Sequence, residues 1–159
     1  MDERPRRKSL PHDVPDWLTN DATFFITINC AVRGVNQLAT HGISDVLRET
    51  MVARVTQSQW FPRVVLFMPD HLHALIRFPN NIVMKNVVRN WKRYTARAFG
   101  ISWQRDFFDH RIRDAQGLSQ KWEYVLDNPV RAGLVENRNL WAFRWFAKDF
   151  GWDDSAEQI

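Results

Sequence analysis

Residues 64–78 read VVLFMPDHLHALIRF, two apolar segments that are separated only by the dipeptide Pro69-Asp70. Proline and aspartate favour tight turns, because proline fixes φ and the aspartate side chain bonds the nearby backbone. Apolar residues fill both segments, as expected of strands in the interior of a sheet. The stretch therefore predicts an antiparallel hairpin with strands Val64–Met68 and His71–Phe78.

Two histidines, His71 and His73, lie one residue apart in the second strand of this hairpin. Because side chains alternate between the faces of a strand, both imidazoles project from one face while Leu72 and Ala74 point to the core. Two imidazoles on one rigid face form half of a divalent-metal site. The same spacing is also found on ordinary polar strand faces, so the pair alone leaves both interpretations open.

The segments around the hairpin alternate between strand and helix patterns. They are a strand from Thr23 to Val32, a helix from an N-cap at Ser44 to Gln59, an amphipathic helix from Val83 to Phe99, a mixed strand and loop from Trp103 to Arg113, and a helix from Leu118 to Asp127. Gly100 and Pro129 are expected to end the last two helices. This order predicts an α+β fold, a ferredoxin-like or RRM-like antiparallel sheet covered by helices, with the histidines on a central strand.

The composition predicts one domain in a reducing compartment. The chain has 159 residues, of which 45% are hydrophobic and 13% aromatic, enough for a single core. No apolar run reaches the roughly 18–20 residues that cross a bilayer, and prolines and aspartates at 11–16 interrupt the place of a signal peptide. Cys30 is the single cysteine, which excludes an internal disulfide and a cysteine-based zinc site. We expect a cytoplasmic, nucleoid-associated protein without membrane contact, built from a basic extended arm (1–20), one domain (21–150) and an acidic tail (151–159).

Basic side chains are concentrated upstream of the acidic tail. The chain has 22 Lys and Arg against 18 Asp and Glu, a net charge of +4. One basic group lies in the arm and a second follows the outer face of the helix at 83–99. Their members are Arg4, Arg6, Arg7 and Lys8, and then Lys85, Arg89, Lys92, Arg93 and Arg97. A solvated basic face explains the helix pattern as well as phosphate contact does, but the distribution predicts a polyanionic partner.

The last predicted helix carries a tyrosine and an amide on the same side. At about 100° per residue, Leu118, Val125 and Leu126 gather on one stripe, whereas Tyr124 and Asn128 share a face outside it. A tyrosine at the edge of a core is the ordinary interpretation of such a position. If this face meets the histidines of the sheet, a metal site lies beside a phenol.

Four motifs follow one another in a characteristic order: RRKSLPH (6–12), MPDHLH (68–73), WQRDFFDH (103–110) and YVLDNPVRAGLV (124–135). In order and spacing, they resemble the REP-associated tyrosine transposases, a bacterial branch of the single-tyrosine HUH endonucleases. The resemblance extends over about residues 6–145.

This resemblance implies a transposase that cleaves and rejoins single-stranded DNA at hairpin-forming palindromic repeats. Tyr124 matches the nucleophile that forms a 5′-phosphotyrosine, and His71, His73 and Asn128 match the ligands of Mg²⁺ or Mn²⁺. The arm and the helix stripe are expected to bind DNA phosphates, and Arg131 either positions the DNA backbone or has a structural role at the helix end. The family pattern allows a monomer or a homodimer.

Two alternatives remain open from the sequence. The first is a non-catalytic, domesticated nucleic-acid-binding module on the same sheet. The second is a zinc-dependent hydrolase that uses His71, His73 and His110, because imidazoles suit Zn²⁺ well. For His110, a loop or phosphate-contacting role is favoured over the role of a further metal ligand.

Overall fold

The computed structural model describes residues 21–154, which form one five-stranded antiparallel sheet and three α-helices. In chain order the elements are β1 (Ala22–Asn29), α1 (His41–Thr56), β2 (Phe61–Phe67), β3 (His71–Phe78), α2 (Met84–Phe99), β4 (Phe108–Ile112), α3 (Ala115–Arg131) and β5 (Arg144–Phe146). Short 3₁₀ turns at Arg138–Leu140 and Ala147–Phe150 flank β5. The strand order is β4-β1-β3-β2-β5, so β3 is central and the predicted α+β fold is confirmed. The predicted arm at 1–20 and the last five residues of the predicted tail lie outside the described residues.

The predicted hairpin sets the register of the sheet. Strands β2 and β3 pair antiparallel, with a bulge between Pro62 and Val64, and the turn closes where Met68 N–H donates to the His71 carbonyl at 2.8 Å. On its other side β3 pairs with β1, which places Thr27 opposite His73 and Asn29 opposite His71. Directly paired residues share a sheet face, so this register decides which side chains surround the histidines.

The two faces of the sheet have separate cores. Leu72, Ala74 and Ile76 of β3 face α1 and α2, where the rings of Trp60 and Trp91 are fully buried. The opposite face, which carries the histidines, packs against Leu118, Val125 and Leu126 of α3, together with other apolar strand residues. The period-two alternation of β3 thus separates a structural face from a face that α3 covers.

The predicted ends of α1 and α3 are wrong. Helix α1 is capped by Thr40, whose Oγ1 accepts from Ile43 N–H at 3.3 Å, and Ser44 is a buried residue inside the helix rather than the N-cap. Helix α3 is longer than predicted, because Asp114 caps it by accepting from Gly117 N–H at 2.7 Å and because it continues through Pro129. Pro129 is buried near the C-terminal end of the helix, and this burial offsets the loss of one backbone hydrogen bond. None of the helices in the described part is both long and apolar enough to cross a membrane.

Candidate active site

The two histidines lie side by side at the start of the central strand and face α3. Their ring centroids are 4.8 Å apart with the ring planes near perpendicular. His73 is buried at 5% exposure, whereas His71 is half-buried and open to solvent at one side. The predicted common face is therefore observed, at the end of the sheet where β3 begins.

Each imidazole is fixed through its Nδ1 atom by a neighbouring polar side chain. His71 Nδ1 lies 2.7 Å from Asp70 Oδ1, and His73 Nδ1 lies 2.8 Å from Thr27 Oγ1. Asp70 is in turn held by Gly34 N–H at 2.8 Å. Contacts of this kind orient a metal-binding histidine and leave Nε2 as its ligand atom. The donor chemistry of the pair thus fits a divalent metal.

Burial and nearby positive charge keep His73 neutral. Removal of the ring from water lowers the pKa of His73 to about 3, and the charges of His71, Arg131 and Lys121 lower it further, whereas a hydrogen bond with Asn128 opposes the shift. Neutral imidazole is the form that binds metal ions. His73 is consequently a neutral imidazole at physiological pH.

Helix α3 brings Tyr124 to the histidines. The Tyr124 ring lies 5.7 Å from the His73 ring and 5.7 Å from the Phe25 ring, in edge-on geometry, and 40% of the residue is exposed. The Arg131 guanidinium stacks 4.1 Å from the centroid of the Tyr124 ring, and Arg131 Nη2 also donates to the Tyr124 carbonyl at 3.0 Å. Lys121 Nζ lies 5.4 Å from the same ring. Two cations therefore lie close to the Tyr124 ring beside His73.

Asn128 can offer an oxygen to the same place. Its Nδ2 donates to the Tyr124 carbonyl at 2.9 Å, which leaves Oδ1 as the atom that could bind a metal ion. Carboxylate and amide oxygens are the ligand atoms that Mg²⁺ and Mn²⁺ prefer. His71, His73 and Asn128 are the side chains here that could hold such an ion.

The predicted histidine triad of a zinc hydrolase is not assembled. His110 lies on the same sheet face but pairs with Phe25 on the far side of β1, where it lines a different cleft. Within residues 21–154, no three histidine, cysteine, aspartate or glutamate side chains gather closely enough to hold a metal ion. The structure thus removes His110 as a third ligand beside His71 and His73.

The basic stripe of α2 lies on the opposite side of the sheet from Tyr124. Lys85, Arg89 and Arg93 are exposed, and Arg89 and Arg93 border a cleft of about 610 Å³ next to the segment 101–106. Lys92 was predicted on this outer face, but it is buried at 7% exposure, and its Nζ donates to the carbonyls of Gln104, Arg105 and Asp106 at 2.7, 3.0 and 3.2 Å. Its position in sequence matched the stripe, but its flexible stem turns inward to bind this loop. The predicted phosphate contacts Arg4, Arg6, Arg7 and Lys8 lie outside the described residues.

Three residues that contact the site were not singled out from the sequence. Asp70 directly precedes His71, and this adjacency could have predicted the contact between its carboxylate and the imidazole. Thr27 became identifiable only when the register of β1 against β3 was known. Lys121 lies three residues before Tyr124, a spacing that places it on the same side of a helix.

Two relatives and one solved structure connect the chain to the same family. A Haemophilus influenzae protein that carries the name REP-associated tyrosine transposase is 31% identical over 152 residues, which cover 82% of the chain and 83% of that protein. The REP-associated tyrosine transposase of Escherichia coli K12 is 25% identical over 130 residues, covering 80% of the chain and 78% of that protein. A solved structure of a REP-associated tyrosine transposase bound to a REP hairpin has the same fold, with a TM-score of 0.69, 23% identity, and coverage of 87% of the chain and 88% of its own. No protein-family model matches the chain.

Proposed function

Because the chain belongs to the REP-associated tyrosine transposase family, we propose that it binds hairpin-forming palindromic DNA, cuts a single strand through Tyr124 and can rejoin it. The observation that carries the chemical part is the approach of Tyr124 to the histidine pair, with 5.7 Å between the Tyr124 and His73 rings. Support for the DNA partner comes from the solved relative, which is bound to a REP hairpin.

The strand-cleavage step needs an in-line attack by the phenol oxygen. Tyr124 Oη attacks the scissile phosphorus, the bond from phosphorus to the 3′ oxygen breaks, and a 5′-phosphotyrosine and a free 3′-hydroxyl result. The phenol loses one proton and the leaving 3′ oxygen gains one, so the step is balanced without a redox partner. Since the phosphodiester bond is exchanged rather than hydrolysed, attack by a 3′-hydroxyl on the phosphotyrosine rejoins DNA.

His71, His73 and Asn128 would hold the divalent metal. When bound, Mg²⁺ or Mn²⁺ polarises a phosphate oxygen and offsets the charge that develops in the transition state. Asp70 and Thr27 keep the two imidazoles in the orientation that this binding needs. Arg131 keeps the Tyr124 ring in place by stacking, and Lys121 adds positive charge where the phosphate must arrive.

DNA phosphates away from the cut would be bound by basic side chains on other surfaces. Lys85, Arg89 and Arg93 are exposed on α2, and Arg4, Arg6, Arg7 and Lys8 belong to the N-terminal arm. Contacts of this kind release counterions, so binding should weaken steeply as salt increases. Arg131, predicted from the sequence as a DNA contact, is close enough to Tyr124 to meet the cleaved strand as well.

A covalent-adduct assay tests this function, and the chain offers a matched control. The wild-type protein is incubated with labelled single-stranded hairpins from palindromes beside the gene, with Mg²⁺ or Mn²⁺, and adducts are separated on a denaturing gel. Tyr124→Phe should form no adduct, whereas Tyr94→Phe, which changes the other tyrosine of the chain, should form as much as wild type. Chelation of the metal and His73→Ala should also suppress the adduct while hairpin binding persists. An adduct of wild-type yield in Tyr124→Phe would show that the nucleophile is another residue, and binding without any adduct would favour the non-catalytic module.

A further inference from the structure

An aromatic side chain on the edge strand faces the same side as the histidines without being part of a core. Phe108 is 55% exposed at the start of β4. It pairs with Thr27, which pairs with His73 in turn, so the three residues form one row across β4, β1 and β3. With strands about 4.8 Å apart, the backbones of Phe108 and His73 are roughly 10 Å apart on one face.

Phe108 extends an aromatic cluster that includes the tyrosine. Its ring lies 6.1 Å from the Phe25 ring in edge-on geometry, and Phe25 contacts the Tyr124 ring at 5.7 Å. Phe25 is buried, but Phe108 and Tyr124 both keep large exposed areas. An edge strand is usually protected by charged side chains, so a solvent-facing phenylalanine beside a reactive centre needs another explanation.

Cationic side chains lie near Phe108 on this face of the sheet, whereas its neighbour Asp109 projects from the other face. Lys121 Nζ lies 4.7 Å from the Phe25 ring, and the next cleft, of about 360 Å³, is lined by His110, Arg111 and Arg113 as well as Lys121. The carboxylate in this cleft, that of Asp114, is engaged in capping α3. A flat apolar ring next to several cations matches a nucleotide, which combines an aromatic base with a phosphate.

We propose that Phe108 is a stacking platform for an unpaired base of the strand that reaches Tyr124, with Lys121 and Arg113 binding the adjoining phosphates. This inference rests on the proposed function and adds a subsite to it. At about 3.4 Å per nucleotide, the roughly 10 Å between Phe108 and His73 puts the stacked base within about three nucleotides of the cut. Every base has a π-face, so stacking on Phe108 by itself does not select one base.

The test uses a DNA hairpin with an unpaired thymidine flank in which 2-aminopurine replaces each flank position in turn. Wild-type protein should quench the fluorescence at one or two neighbouring positions. Phe108→Ala and Phe108→Leu should lose this quenching and bind the flanked hairpin about 5- to 150-fold more weakly, the range typical of base stacking on aromatic residues. Phe108→Tyr should retain both, and all variants should bind the stem without a flank as wild type does.

Two controls separate this inference from the proposed function. Tyr94→Ala removes another exposed aromatic, on α2, and should leave the quenching unchanged. If Phe108→Ala quenches and binds as wild type does while wild type forms the adduct, the stacking subsite is refuted and the transposase function stands. An equal loss of affinity for flanked and unflanked hairpins also refutes the subsite. Loss of quenching at specific flank positions in Phe108→Ala supports the stacking subsite even if wild type forms no adduct. The absence of an adduct would refute strand cleavage and not the subsite.

Discussion

Replacement of Lys92 by methionine should destabilise the protein without a direct effect on DNA phosphates. Methionine keeps the length of the buried stem but removes the ammonium that donates to the carbonyls of Gln104, Arg105 and Asp106. Each hydrogen bond from a charged donor contributes about 1.5–3 kcal/mol. Part of this is offset, because methionine has no ammonium to desolvate and water can reach the exposed loop carbonyls. We expect a net loss of about 3 kcal/mol in the free energy of unfolding.

Thermal and urea unfolding followed by circular dichroism measure this loss. For a chain of this size, about 3 kcal/mol corresponds to a decrease of roughly 6–12 °C in melting temperature. Lys85→Met is the matched control, since Lys85 is exposed on the same helix. It should change the unfolding free energy by less than about 0.5 kcal/mol and weaken hairpin binding with a shallower salt dependence.

The reasoning fails if the two variants behave alike. A Lys92→Met protein that unfolds within about 1 kcal/mol of wild type and loses hairpin affinity as Lys85→Met does would make Lys92 a phosphate contact. The original prediction of an unbroken basic stripe on α2 would then be right, and the inward hydrogen bonds would be of little energetic importance.

Three further variants test the support of the site and the end of α2. Thr27→Val removes the hydroxyl bonded to His73 and should raise the Mn²⁺ concentration needed for adduct formation about 10- to 100-fold; an unchanged metal dependence would contradict the role of Thr27. Arg131→Lys keeps the charge but not the flat stack on Tyr124, so single-turnover cleavage should slow roughly tenfold while hairpin affinity stays the same; an equal loss of both would contradict the positioning of the Tyr124 ring by Arg131. Gly100→Ala forces a residue with a Cβ into φ +69°, with open space around it, so calorimetry should show a loss of about 1–2 kcal/mol from backbone strain alone.

The sequence predicted those features that depend on local pattern. The hairpin and the common face of His71 and His73 follow from period-two alternation and a turn dipeptide. Helix α2 was predicted nearly to its ends because its apolar spacing is regular and Gly100 supplies a left-handed C-cap. The approach of Tyr124 to the histidines could be expected only from the family resemblance, since it depends on how α3 packs on the sheet.

The wrong predictions concern residues whose local and tertiary preferences differ. Ser44 has the chemistry of an N-cap, but Thr40 performs this role one turn earlier. Pro129 disfavours a helix in an isolated segment, yet it is buried and helical in the folded protein. Lys92 fits a solvent-facing pattern until the loop at 104–106 supplies carbonyls for its ammonium. The inward turn of Lys92 depends on carbonyls of a separate loop, which the helix pattern does not contain. The N-cap of α1 depends on a choice between Thr40 and Ser44, which have the same capping chemistry.

The packing of α3 has a mechanical consequence for strand exchange. Val125 and Leu126, which directly follow Tyr124, are buried in the sheet, so the tyrosine backbone is clamped to the strand that carries the histidines. A DNA end joined to Tyr124 would therefore stay at a fixed position relative to His71 and His73. The released 3′ end, or another 3′ end that replaces it, would have to diffuse to the phosphotyrosine. The mobility of that DNA end would then limit the rate of rejoining.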